Sequence, residues 1–538
     1  MQPIDRRAFL ASIPAALALP RLARAADAEI EVFTSETIGT VSPLLYGQFV
    51  EHLGGVVYDG VWVGPDSRVA NIHGIRKALV DALKPIGGTV VRWPGGCFAD
   101  SYDWRDGIGP EAQRPTRNNF WANAGRLQNV PQTSPSRNDP NQFGTNEFIE
   151  FCRLVNCQPY LAANIRSLPA RDFYQWVEYC NSPPGVTTLA KARAANGSPE
   201  PFDVRFWGVG NESWGCGGDM TAEEYSVEFR KFIAWVPLFG NPLSFIASGP
   251  NAGDPKWTHD FFHAIAAKSP GLFNRIWGWA LHYYCMTTGS GDSLNFSSDD
   301  AYQLLNQADR MDSLIRQTWD IMGEIDKEHK VKLVVDEWGT WHKDTTAVAP
   351  NHLFGSVQTM RDALVAGLTL DTFQRNVDKV AMANVAQLVN CIQTLFLASG
   401  DNFCVTPTYH VFAMYMDHRN GQAVRTEFSA PRIPYQYEGK SQHVVRLAGS
   451  ASVLNGTLTL TGVNNHLTDA LETTIQLRGA SASQARAVAL TGPDIHAHND
   501  FTTPNAVKPQ ALAVTASGDT LRVTIPAASV VKIQAPLG

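Results

Sequence analysis

What most limits the folds open to this chain is a rhythm of short apolar runs alternating with helix-spaced segments, which begins at Leu45 and runs for about 370 residues. The candidate strands are Leu45–Glu51, Thr89–Arg92, Pro159–Asn164, Val204–Val209, Leu243–Ser248, Ile276–Tyr284, Lys332–Glu337 and Lys379–Gln387. In the last of these, the run from Val380 to Leu388 also fits a helix. Between them, Gly74–Pro85 carries Ile75, Leu79, Val80 and Leu83 at helical spacing. Thr145–Val155 reads as a helix with Thr145 as N-cap, Phe173–Asn181 is helical, and Thr221-Ala-Glu-Glu forms a capping box opening another helix. Strands alternating with helices require a parallel sheet with helical crossovers, and eight such units close into a (β/α)8 TIM barrel.

Polar residues with chemical potential fall repeatedly where these strands end. They are Glu51, Arg92, Asn164, Asn211-Glu212, His282 with Tyr284, Glu337 and Gln387. In a barrel of this kind the carboxyl ends of the strands form the catalytic face. Arg205–Trp214 (RFWGVGNESW) and Lys332–Trp338 (KLVVDEW) share one design, an apolar strand that stops at a glutamate beside an aromatic. Two carboxylates on different strand ends are what a barrel hydrolase needs to set an acid and a nucleophile across one bond. The polar excursion from Gly95 to about Asn141 is long for a connection inside a compact domain, and loops of that length usually carry function.

From about Gly421 the spacing changes. Thr457-Leu-Thr-Leu-Thr, Thr473-Thr-Ile-Gln-Leu, Thr520-Leu-Arg-Val-Thr-Ile and Val530-Val-Lys-Ile alternate with period two, and Asn455-Gly456 signals a hairpin. This predicts an antiparallel β-sandwich over 421–538 behind a catalytic barrel over 42–420. The alternating segment 29–41 precedes the barrel and is expected to join the sandwich.

Residues 1–25 read as a leader. Arg6-Arg7 precede an apolar run to Leu19, and Ala23-Arg24-Ala25 offers a small-residue cleavage site, the pattern of twin-arginine export to the periplasm or beyond. The whole chain carries a formal charge of −7. Four arginines and one aspartate would leave with the leader, so the remainder is more acidic still, which suits a neutral substrate over nucleic acid or anionic membrane. Eight cysteines in 538 residues form no CxxC pair and no disulfide framework, and they are expected to be unpaired. No cysteine–histidine cluster has zinc-ligand spacing, and His52 beside Glu51 lacks an HExxH partner, so neither a metal nor a cofactor is called for.

Read together, the motifs resemble those of the glycoside hydrolase family 51 α-L-arabinofuranosidases, clan A retaining barrels. The resemblance runs through Tyr46–Gly55 (YGQFVEHLGG), Val90–Phe98 (VVRWPGGCF), Asp103–Pro115, Gln142–Leu154, WVEYCNSP, WGVGNESWG, MTAEEY, DEWGTW and AQLVNC. It implies that Glu212 is the general acid/base and Glu337 the nucleophile. Asn211 would bind the sugar's 2-hydroxyl and Tyr284 would orient the nucleophile. Glu51, Cys97 and Gln387 would hold arabinofuranose hydroxyls, with Arg92 and His282 as near supports and Trp341 and Trp121 lining the pocket. Cys97 is implied as a polar contact. The family also suggests a homo-oligomer, often a hexamer. The chain departs from the pattern at Gly339, where Asn is frequent, and over 121–141 and 288–301 near the mouth.

The expected chemistry is double displacement, with Glu337 ionised, Glu212 protonated and the two carboxyl groups about 5–5.5 Å apart. The expected activity is exo-acting release of non-reducing terminal α-L-arabinofuranosyl groups from arabinan, arabinoxylan or derived oligosaccharides. Two alternatives stand beside it: an endo-β-1,4-glucanase on the same barrel, and a non-catalytic sugar-binding protein, which retention of both glutamates disfavours.

Overall fold

A computed structural model describes residues 27–124, 130–286, 291–343 and 353–538. The proposed leader at 1–25 lies outside the described residues. After an opening strand β1 (Ala28–Thr40), eight parallel strands close into a barrel: β2 (Gly47–Phe49), β3 (Val90–Trp93), β4 (Gln158–Ala163), β5 (Phe206–Val209), β6 (Ser244–Ala247), β7 (Ile276–Cys285), β8 (Lys332–Thr340) and β9 (Val380–Val385). Each pairs with its neighbours in chain order, and β9 returns to β2. The ambiguous last run is therefore a strand. Several strands are shorter than their apolar runs suggest, because the runs continue into the turns that follow.

The crossover helices are α1 (Lys77–Leu83), α2 (Thr145–Leu154), α3 (Ala170–Asn181), α4 (Ala222–Ile233), α5 (Pro255–Lys268), α6 (Ser298–Ile325) and α7 (Met360–Arg375). At α4 the Thr221–Glu224 capping box forms in both directions, with hydrogen bonds of 2.8 and 3.2 Å. The cap of α2 is Gly144, with Thr145 the first helical residue. Glu147 reaches back to accept from the Gly144 amide (2.9 Å), which places the cap one residue upstream of the threonine.

Period two along the strands sorts the barrel interior into layers. Val90, Tyr160, Phe206, Ile246, Ala280, Val334 and Met382 form an apolar plug with contributions from seven strands. Two residues further along, the same inward face presents Arg92, His282, Asp336 and Asn384. A hydrophobic floor thus lies under a layer of buried charge.

Ten strands build the second domain in the order β15-β14-β18-β12-β11-β10-β1-β13-β17-β16, where β10 is Gln422–Ser429, β11 Leu447–Leu454, β12 Thr457–Asn464, β13 Leu471–Arg478, β14 Arg486–Leu490, β15 Gln510–Leu512, β16 Val514–Ser517, β17 Thr520–Ile525 and β18 Ser529–Pro536. Pairing is antiparallel except between β1 and β13. Ile30, Val32, Leu460, Ile475, Leu521 and Ile533, drawn from both arms of this ladder, share one core, which makes the domain a sandwich. Asn455 and Gly456 both take positive φ at the β11–β12 hairpin, as its type I′ turn requires.

Candidate active site

Glu337 sits on β8, where strict alternation would send either it or Asp336 out of the barrel. The register solves this. Leu281 of β7 pairs with Val335 and His282 with Glu337, so Asp336 is an extra residue on β8. Such a bulge re-aims the strand locally, and both carboxylates reach the same guanidinium. Arg92 donates from Nη1 to Glu337 Oε1 (2.7 Å) and places Nε 3.2 Å from Asp336 Oδ2. Asp336 in turn accepts from Tyr160 and Asn384, each at 2.8 Å.

Glu212 lies past the end of β5, beyond Gly210. It holds φ of +40°, a strained conformation for a glutamate that the surrounding contacts must maintain. Its Oε1 meets His282 Nδ1 at 3.0 Å, and the same nitrogen lies 3.5 Å from Glu337 Oε2. One carboxylate oxygen of Glu212 lies within 4.8 Å of one of Glu337. Oxygens this close fall short of the about 6.5–9.5 Å that would leave room for an intervening water between the carboxyl groups. Glu337 is nearly closed off, with 7% of its side chain accessible, whereas Glu212 retains 20%. Of the two, Glu212 is the carboxyl group that solvent can reach.

The electrostatics divide the same way. Burial alone would raise the Glu337 carboxyl, but His282, Arg92 and the Tyr284 hydroxyl (2.7 Å) outweigh it and hold the group below the ordinary carboxylate range. For His282, burial would lower the imidazole, yet the Glu337 and Glu212 carboxylates prevail and raise it. A guanidinium and an imidazole thus keep an anion at Glu337. Although Glu212, His282 and Glu337 converge closely enough to ligate an ion, they already satisfy one another.

Around this pair the structure gathers the other residues singled out in the sequence. Asn211 accepts from Arg92 Nη2 (2.5 Å) through its side chain. Gln387 and Glu51 exchange two hydrogen bonds: the Glu51 amide donates to Gln387 Oε1 (3.0 Å), and Gln387 Nε2 donates to Glu51 Oε2 (2.9 Å). Trp121, from the long insert, donates its indole N–H to Glu51 Oε1 (3.2 Å). Trp341 packs edge-on against Tyr284 at 5.0 Å. Gly96 threads between the carboxylates, where a Cβ would lie 3.1 Å from Glu337 Oε1 and 3.2 Å from Glu51 Oε1. Asn164 is the exception: it bonds Tyr102 and Ser167 and braces a loop.

Cys97 requires correction. It is no free thiol but is joined to Cys216 in a disulfide spanning 119 residues of sequence, and the expectation of wholly unpaired cysteines fails there. The partners follow different strands, so no local spacing could pair them. Both sulfurs flank the acid/base candidate, 3.8 Å (Cys97) and 3.6 Å (Cys216) from Glu212 Oε2. The other six cysteines are buried thiols. Closing so long a loop removes about 4–5 kcal/mol of unfolded-chain entropy. Replacing both Cys97 and Cys216 by serine should therefore lower Tm by several degrees. It should also cut kcat on poor leaving groups roughly 10–100-fold as Glu212 loses its support. Unchanged Tm and kcat would refute this.

Sequence reasoning missed three contributors. Phe354 stacks edge-on against both Trp341 (5.0 Å) and Trp121 (5.6 Å), linking the two tryptophans into one wall. Asp100 accepts from the backbone amides of Ile165 and Asn211, and burial pushes its carboxyl up to about 7 against those bonds. Cys216 is the third. Asp100 and Cys216 lie close to recognised motifs, but nothing in their spacing marks them.

Glu51 carries a pH prediction. Burial, with the Glu337 charge adding to it, pushes its carboxyl up to about 8 despite the Phe98 amide, Gln387 and Arg92. Because the folded value exceeds the unfolded one of about 4.3, the folded state holds a proton that the unfolded chain has released. Stability from this group is fully present below about pH 4.3, declines as pH rises toward about 8 and is flat above. The fall in Tm between pH 5 and pH 8 should be shallower in Glu51→Gln than in the wild type, and equal slopes would exclude Glu51 as the source.

Comparison with known proteins bears on this geometry. The family model "Alpha-L-arabinofuranosidase 1 domain" matches residues 80–274, and "Alpha-L-arabinofuranosidase C-terminal domain" matches residues 336–529. An "Intracellular exo-alpha-L-arabinofuranosidase" of Bacteroides ovatus is 35% identical over 514 residues, covering 94% of this chain and 95% of the relative. The "Intracellular exo-alpha-(1->5)-L-arabinofuranosidase 1" of Bacillus subtilis is 28% identical, with 87% and 91% covered. The crystal structure of the GH51 arabinofuranosidase from Xanthomonas axonopodis pv. citri superposes with a TM-score of 0.87 at 34% identity, covering 95% of this chain and all of that one. The relatives named intracellular overturn the expectation of export. That expectation rested on one arginine pair and one Ala-x-Ala, a pattern short enough to occur without being read as an address.

Proposed function

Since this chain belongs to the GH51 α-L-arabinofuranosidases, we propose that its barrel-end residues divide the work of an exo-acting, retaining α-L-arabinofuranosidase as follows. The Glu337 carboxylate attacks the anomeric carbon while Glu212 gives its proton to the departing glycosidic oxygen. The bond to the aglycone breaks as an ester to Glu337 forms. Glu212, now a base, takes a proton from water, whose oxygen attacks the same carbon and releases arabinose with Glu337 restored. Two inversions leave the configuration unchanged.

The observation that carries this reading is the short Glu212–Glu337 separation, with Arg92 and His282 holding Glu337 as the anion. Tyr284 fixes the attacking carboxylate, and Asn211, tethered by Arg92, presents its amide to the 2-hydroxyl. Glu51, Gln387 and Gly96 form the hydroxyl-binding floor. Trp121, Phe354 and Trp341 wall off further subsites on that side, as suits removal of one terminal sugar. The substrate is an arabinose-containing glycan, and arabinan or arabinoxylan side groups fit this pocket.

A panel of an aryl α-L-arabinofuranoside, an aryl β-xyloside, a soluble β-glucan, arabinan and arabinoxylan tests the reading. Release of free arabinose from the aryl arabinofuranoside and from at least one polymer, without shortening of the backbone, is expected. Glucan cleavage without arabinofuranoside cleavage would overturn it.

A further inference from the structure

On the outer wall of the barrel, away from the carboxylates, two histidines stand one helical turn apart on α5. His259 and His263 are exposed, and their rings lie 4.0 Å apart, tilted by 31°. Residues four apart on a helix share a face, and here that face meets α6, from which Glu324 projects. Each of the three offers a donor atom, and the three atoms lie within 4.8 Å of one another. Behind them, Asp260 accepts from His259 Nδ1 at 2.9 Å and is itself paired with Lys256. A carboxylate accepting from one imidazole nitrogen leaves the lone pair on the other and fixes the ring, the arrangement that commonly supports a metal-ligating histidine. None of these residues touches the catalytic cluster.

We propose that His259, His263 and Glu324 form a surface site for a divalent transition metal of the zinc class, which staples α5 to α6. Two imidazoles and one carboxylate are a ligand set that zinc accepts, with water completing the tetrahedron. Bonds of about 2.0–2.1 Å require donor atoms about 3.3 Å apart. Exposed side chains reach that spacing by small rotations that cost no packing. A neutral imidazole pair and one anion favour this metal class over calcium or magnesium, which take oxygen ligands. The site joins consecutive crossover helices, so the metal would stabilise the barrel wall and leave the chemistry alone. This inference is independent of the proposed reaction.

The test uses the full chain, without a histidine tag and stripped with chelator, titrated with zinc chloride in a calorimeter. One site is expected in the wild type and in Glu337→Gln, with binding at least tenfold weaker in His263→Ala and lost in the His259→Ala/His263→Ala double variant. At zinc about 100 times its Kd, Tm should rise about 2–3 °C in the wild type and not in the double variant. Arabinofuranoside hydrolysis without zinc should be the same in both. Absence of zinc binding by the wild type would overturn the proposal, as would binding that survives loss of both histidines. Binding lost in Glu337→Gln instead would locate the ion at the catalytic cluster and equally refute it.

Discussion

Exchanging Glu337 for glutamine should reduce kcat by about 10⁴-fold or more on every arabinofuranoside, whatever its leaving group. The amide cannot form the ester, so both displacement steps are lost. It should also take from Arg92 and His282 one of the two carboxylates each faces, leaving Asp336 and Glu212 alone to balance them in a buried site where weakening an ion pair is costly. The variant is therefore expected to lose thermal stability as well as activity, which separates this position from a purely chemical one. Stopped turnover can be followed with an aryl arabinofuranoside and unfolding by calorimetry. Residual kcat within tenfold of the wild type would remove Glu337 from the nucleophile's role.

Exchanging Glu212 for alanine should instead give a result that depends on the leaving group. General acid catalysis contributes about 10²–10⁴-fold when the departing oxygen needs a proton. Hydrolysis of arabino-oligosaccharides should fall across that range. An aryl substrate whose phenolate departs unaided should keep most of its first-step rate, seen as a burst of phenol followed by slow breakdown of the ester, since the base for the second step is also missing. Added azide, a nucleophile that needs no base, should restore steady turnover on the aryl substrate and give an arabinosyl azide of unchanged anomeric configuration. Equal losses on both substrate types, with no rescue by azide, would point to a structural role for Glu212.

Much of this site was legible because barrel geometry converts strand period into position. Once eight strand–helix units are recognised, Arg92, Glu212, His282, Glu337 and Gln387 fall at one end of one barrel without any knowledge of contacts. What stayed hidden depends on relations the period cannot express. Asp336 and Glu337 are adjacent, and a pattern of period two would part them, yet one extra residue on β8 brings both to Arg92. The Cys97–Cys216 bond and the Phe354 wedge arise from segments that meet only after the loops fold over the barrel mouth. Trp121 sits in an insert with no regular pattern and was reached only by resemblance, but its indole lies on Glu51. Helix starts were legible where the N-cap residue itself supplies a capping side chain, as at Thr221, and slipped by one residue where the cap is a glycine, as at Gly144.

The place of β1 in the sandwich bears on how the protein is made. Ala28–Thr40 hydrogen-bonds on one side to Gln422–Ser429 and on the other to Leu471–Arg478, so a strand made before the barrel is an interior strand of a domain finished after it. Throughout synthesis of the barrel it has both edges open, the condition in which strands recruit wrong partners. A fragment that stops after the barrel would carry this strand permanently unpaired, and one that starts at the barrel would leave a gap in the middle of the sandwich. The two domains therefore cannot be separated by one cut in the chain: the sandwich is assembled from segments that precede and follow the barrel, with the catalytic domain enclosed between them in sequence.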